Sequence, residues 1–117
     1  MGRYGLIVAR LKPGAEDGIT RAFAESDATE LPALGRLHHR SIFVMGDLYL
    51  HLIETDGEFE ECVGAVRDHP LFKEVSAAMV PFVSPYDPAT WRSPRDSFAR
   101  EIYAYDPPDG ETRTATS

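Results

Sequence analysis

Two residues suited to charge and proton chemistry, Arg40 and His51, lie in the run RSIFVMGDLYLHLIE at residues 40–54. Gly46-Asp47 separates two stretches rich in β-branched and aromatic residues, the pattern of a tight two-residue hairpin loop. Such a loop pairs Met45 with Leu48, Val44 with Tyr49, Phe43 with Leu50, Ile42 with His51 and Arg40 with Ile53. Side chains alternate along a strand. One face then carries Phe43, Met45, Leu48, Leu50 and Leu52 and reads as the core face. The other carries His38, Arg40, Ile42, Val44, Tyr49, His51 and Ile53. A strand does not usually show Ile42, Val44 and Ile53 to water, and a pure core does not take His38, Arg40 and His51. The mixture predicts the wall of a small-molecule cavity. The plainer alternative is a sheet face whose Arg and His lie at a wet margin, their stems packed on aliphatics.

Arg40 and His51 fall diagonally across this hairpin, within reach of one ligand. A permanently charged guanidinium can polarise a carbonyl or stabilise an enolate. A neutral imidazole can remove or return a proton near pH 7. Together they suit carbon-acid chemistry α to a carbonyl. The competing reading satisfies both with Glu54 or a backbone carbonyl. Asp27 is either a helix-end carboxylate or an acid/base group at the cavity mouth. His38 and His39 are adjacent, so a strand points them to opposite faces, and no His or Cys spacing resembles a metal site. His69 precedes Pro70 and is expected to cap a helix. Cys62 is the single cysteine, which excludes an internal disulfide; it reads as a helix-core residue rather than a nucleophile.

The elements that must position these groups follow the same patterns. Residues 4–11 form a strand apolar on both faces, hence central, and Lys12-Pro13-Gly14 turns the chain out of the sheet. Residues 15–25 read as a helix with Ile19, Ala22 and Phe23 inward, weakened at Gly18 by about 1 kcal/mol. A polar connection, residues 26–32, precedes the hairpin, which begins near Arg36. A helix over 58–68 carries Phe59, Cys62, Val63 and Val66 inward, and Pro70 opens another. Residues 84–96 are predicted to be an ordered loop in which Tyr86 and Trp91 are buried, and residues 98–105 the last strand. The order strand, helix, strand, strand, helix, strand is that of an α+β, ferredoxin-like βαββαβ sandwich. Its helices cover one sheet face only, so a second subunit is expected over the other, as in a dimeric α/β barrel.

Composition bounds the function. At 117 residues, 43% hydrophobic and 26% charged, the chain is sized for one soluble domain, residues 1–105, with a disordered tail at 106–117. A net charge of −7 with no basic stripe argues against nucleic acid as partner. The opening MGRYGLIVARL is too short for a membrane span and lacks a cleavage site, so a cytoplasmic protein is expected.

Four separated segments carry a family resemblance: FAESDATELP (23–32), DLYLHLIE (47–54), HPLF (69–72) and SPYDPATWRSPRDSFAREIYAY (84–105). Over about residues 4–105 the chain resembles the aromatic polyketide cyclase family typified by the tetracenomycin cyclase. The resemblance implies a homodimer without metal or organic cofactor that performs aldol cyclisation and dehydration of a poly-β-ketone intermediate. It places Arg40, His51 and Asp27 at active-site positions. Arg40 would hold and polarise a ketone, His51 move protons, and Asp27 orient a partner or assist loss of water. Ser26, Ile42, Val44, Tyr49 and Trp91 would bind substrate and shape the cavity, with polyketide synthase components as further candidate partners. Ser26 departs from the tetracenomycin-type pattern, where His is expected, and points to a different substrate or ring. Two alternatives stand beside this: a cofactor-free monooxygenase of the same fold, and a non-catalytic polyketide-binding module.

Overall fold

The computed structural model describes residues 2–108. Strand β1, Tyr4–Leu11, occupies a central place because both of its faces are apolar. Helix α1, Glu16–Asp27, leads to a short helix α2, Leu31–Leu34. The hairpin β2, Leu37–Met45, and β3, Leu48–Thr55, follows. Helices α3, Phe59–Val66, and α4, Pro70–Met79, then return the chain to a short strand β4, Val83–Pro85. The sheet order is β2-β3-β1-β4, antiparallel throughout, which is the ferredoxin-like arrangement.

The hairpin has the register that its sequence demands: Arg40 opposite Ile53, Ile42 opposite His51, Val44 opposite Tyr49. Gly46 has φ +60°, which a type II′ loop needs at its first position. His69 caps α4 by accepting the Leu71 N–H on Nδ1 at 3.0 Å, and Glu58 caps α3 through the Glu61 N–H. Gly18 has a packing reason to be in α1. The Phe82 ring fills the space where a Cβ would stand.

Three expectations change. First, the helices cover the face carrying Ile7, Ala9, Tyr49 and His51, with Ala15, Ile19 and Met79 packed against it. The all-apolar hairpin face is the open one, with Phe43 57% and Met45 74% exposed. The mixed face is buried at Tyr49 and His51, whose polar groups bond within the cluster beneath the helices, while His38 and Val44 at its margin stay exposed. Second, residues 98–105 are not the last strand. The edge of β1 is shared instead, its C-terminal half by Val83–Pro85 and its N-terminal half by a bridge from Ile7 to Phe98, with the Ala99 N–H donating to the Leu6 carbonyl. That register runs β1 out at Tyr4, whose hydroxyl donates to Glu101. Among the described residues the chain beyond Glu101 forms no strand, and Ile102, Tyr103 and Tyr105 are exposed. Third, Tyr86 is half exposed and lies under the Arg10 guanidinium rather than in a core. Of the tail expected from residue 106, residues 109–117 lie outside the described residues. No helix among the described residues is long and apolar enough to cross a membrane.

Candidate functional site

Helix α1 runs through Asp27, two residues past its expected end, because Thr29 closes its last turn. The Thr29 N–H and Oγ1–H both donate to the Ser26 carbonyl, and Thr29 Oγ1 accepts from the Leu31 N–H that begins α2. Asp27 is thereby fixed at the negative end of a helix dipole, with no basic residue in that last turn. Its compensation comes from the sheet. Arg40 donates from Nε to one carboxylate oxygen at 3.1 Å and from Nη2 to the other at 2.8 Å, the paired geometry in which Arg binds carboxylate most firmly.

The same guanidinium reaches across the hairpin. Arg40 Nη1 lies 3.1 Å from His51 Nε2, and His51 Nδ1 lies 2.9 Å from the Tyr49 hydroxyl. The Phe23 ring packs beneath the Arg40 guanidinium, 4.7 Å from centroid to Cζ, and meets the His51 ring edge-on. His51 and Tyr49 are each 3% exposed. Burial, reinforced by the Arg40 charge, lowers the His51 pKa from 6.5 to about 3. Burial raises that of Tyr49 well above its ordinary value, the Arg40 charge opposing. At neutral pH the pair is an uncharged imidazole and an intact phenol.

These groups line a cavity of about 590 Å³ between sheet and helices, a volume suited to a small organic molecule. Its remaining wall is largely apolar and includes Val66, Phe72, Val75, Met79 and Phe98. Arg40, His51, Tyr49, Ser26 and Trp91 line it, and Asp27 stands behind Arg40. Trp91 is held by its Nε1–H, which donates to Ser97 Oγ at 3.1 Å. Ile42 packs against the core cluster, Val44 is 40% exposed at the sheet edge, and neither lines the cavity. Phe23 and Met79 were legible only as core positions, because one apolar helical stripe serves core and cavity alike. Among the described residues no three His, Cys, Asp or Glu side chains cluster to hold a metal ion.

The fold and site define a class: a ferredoxin-like α+β protein with a mostly apolar cavity and an Arg–His–Tyr cluster in its wall. Residues 3–106 match the family model described as polyketide synthesis cyclase, and the chain belongs to that family. It is 38% identical to the tetracenomycin F2 cyclase of Streptomyces glaucescens, over 93% of this chain and 99% of that one. It is 41% identical to the polyketide synthase CurG of Streptomyces cyaneus, over 88% and 96% respectively. The solved structure of the tetracenomycin F2 cyclase, described as a type-II polyketide cyclase, superposes with a TM-score of 0.80 over 90% of this chain and 98% of that one. The fold, though not by itself the activity, is shared with a putative antibiotic biosynthesis monooxygenase of Chloroflexus aurantiacus, at TM-score 0.55 and 19% identity over 74% of this chain and 86% of that one.

Proposed function

We propose that this chain is a cytoplasmic aromatic polyketide cyclase that closes a ring in a poly-β-ketone by aldol condensation and dehydration. The observation that carries the reading is Arg40, fixed by Asp27 at the wall of an apolar cavity with His51 in contact. Three of the five guanidinium N–H bonds are engaged, leaving two for a ketone oxygen. Arg40 holds that oxygen and stabilises the enolate. His51 moves the proton: the imidazole shifts off Arg40 Nη1, and the released Nε2 accepts the proton from the α-carbon. The C–H electron pair becomes the enolate, which adds to a second carbonyl, and the imidazolium returns its proton to the new alkoxide. Asp27 keeps Arg40 in place throughout. A poly-β-ketone reacts spontaneously in water, so synthase components that hand it over are the expected partners. A minimal polyketide synthase run with and without the protein tests the whole reading. One cyclised product should replace a mixture of spontaneous ones, and an unchanged profile would sink it.

The protein acts as a homodimer on this reading. The open sheet face presents Phe43 and Met45, and the arm beyond Ala99 presents Ile102, Tyr103 and Tyr105, all exposed in the protomer. An apolar surface of that kind is normally covered. Light scattering behind a sizing column should give about twice the 13.0 kDa chain mass. A clean monomer at micromolar concentration removes the dimer.

A further inference from the structure

The polar cluster fixes the direction of each of its hydrogen bonds. Arg40 has donors only, so His51 Nε2, 3.1 Å from Nη1, must accept. A neutral imidazole then carries its proton on Nδ1, which faces the Tyr49 hydroxyl at 2.9 Å. Tyr49 Oη is therefore the acceptor in that bond. Its own O–H remains, and it has no protein acceptor among the described residues, although the residue is 3% exposed and lines the cavity. A buried hydroxyl left without an acceptor costs free energy unless a ligand or water takes the proton. The low His51 pKa, about 3, keeps the arrangement in its neutral form at working pH.

We propose that the Tyr49 hydroxyl donates a hydrogen bond to a second ketone oxygen of the substrate, while Arg40 holds the first. The imidazole separates the two donors, each bonded to an opposite ring nitrogen. They lie too far apart to share one oxygen and suit two oxygens on alternate carbons. The site therefore recognises a 1,3-dicarbonyl unit rather than a lone ketone. This rests on the polyketide reading of the cavity and adds the feature by which a poly-β-ketone is told from another apolar ketone. His51 gains a second duty as a positioning residue, since its tautomer aims the Tyr49 proton.

The probes are a 2,2-dimethyl-1,3-diaryl-1,3-diketone and the matched 1,3-diaryl-2,2-dimethylpropan-1-one, neither of which has a hydrogen α to a carbonyl, so both can bind but neither can enolise. Trp91, the single tryptophan, lines the cavity and reports binding by fluorescence. The native protein should favour the diketone by about tenfold, the worth of one buried hydrogen bond. Tyr49→Phe keeps the ring and should erase that preference by weakening the diketone alone. A packing role would instead weaken both ligands equally. Nitrogen chemical shifts of His51 in the native protein should show Nδ1 protonated. An Nε2–H tautomer, or a preference that survives Tyr49→Phe, overturns the proposal. If Tyr49→Phe does not fold, the native protein decides: the Nδ1–H tautomer together with the diketone preference upholds the proposal, and the absence of either overturns it. A diketone preference lost in Tyr49→Phe, in a protein that leaves polyketide products unchanged, would sink the cyclase reading alone.

Discussion

Arg40→Ala should abolish cyclisation, with turnover falling about 10²- to 10³-fold, the range for losing a preorganised oxyanion donor. The guanidinium is the only cation in the cluster, and it is the group that meets charge developing in the reaction. The variant should still fold. Asp27 loses its partner at the end of α1, but its side chain is 37% exposed and can return to water. The cost is about 1–3 kcal/mol of stability, typical of a hydrogen bond to a charged group. His51→Ala should also be impaired. The two losses should combine to less than their sum if both residues serve one enolisation step, because Arg40 and His51 are in direct contact. A merely structural Arg40 predicts a different pattern: a lowered melting temperature, with the surviving folded protein turning over at the native rate. Product yield and melting temperature measured on both single variants and the double variant separate the two. Normal yield from a well-folded Arg40→Ala variant would remove Arg40 from the active site.

The hairpin was legible to the residue because two local signals agreed. Gly46 supplied the turn, and the β-branched runs supplied the strands. That register alone brings Arg40 and His51 together. What the pattern could not say was which face the helices take. An all-apolar stripe looks like core, yet Phe43 and Met45 lie on the open face, and it is Tyr49 and His51 of the mixed face that are buried. Alternation reports that two faces differ; it carries no information about which neighbour covers each. Asp27 shows a second limit. Its choice between helix end and cavity mouth depended on how far α1 ran, and that was decided by Thr29 bonding back to the Ser26 carbonyl. The last strand failed for a reason of register. Phe98 meets Ile7, so the arm outruns β1 whatever its β-propensity. Ile42 and Val44 share parity with Arg40, but they lie on the edge strand β2, whereas the cavity is lined by their partners Tyr49 and His51 on β3 and by Ile7 and Ala9 on β1.

Acid should destabilise this protein steeply, and His51 should account for much of the slope. Its pKa is about 3 in the folded state because burial and the Arg40 charge both oppose protonation; in the unfolded chain it returns to about 6.5. Between those values the unfolded chain binds a proton that the folded chain refuses. Stability contributed by the neutral imidazole is thus fully present above pH 6.5 and is lost as pH falls toward 3. The whole difference is worth roughly 4–5 kcal/mol, about 3 of it gone by pH 4. That is a large share of the 5–15 kcal/mol typical of a domain. Carboxylates also titrate in this range, so the native curve alone does not isolate His51. His51→Asn does, since it shares every other titrating group. Denaturant unfolding at pH 7, 5.5 and 4 should show the variant less stable at pH 7 and the gap closing by about 3 kcal/mol at pH 4. Parallel curves for the two proteins would mean that His51 titrates alike in both states, and the buried neutral imidazole would have to be given up. With it would go the fixed tautomer, because only an uncharged ring can accept from Arg40 on one nitrogen while donating to Tyr49 from the other.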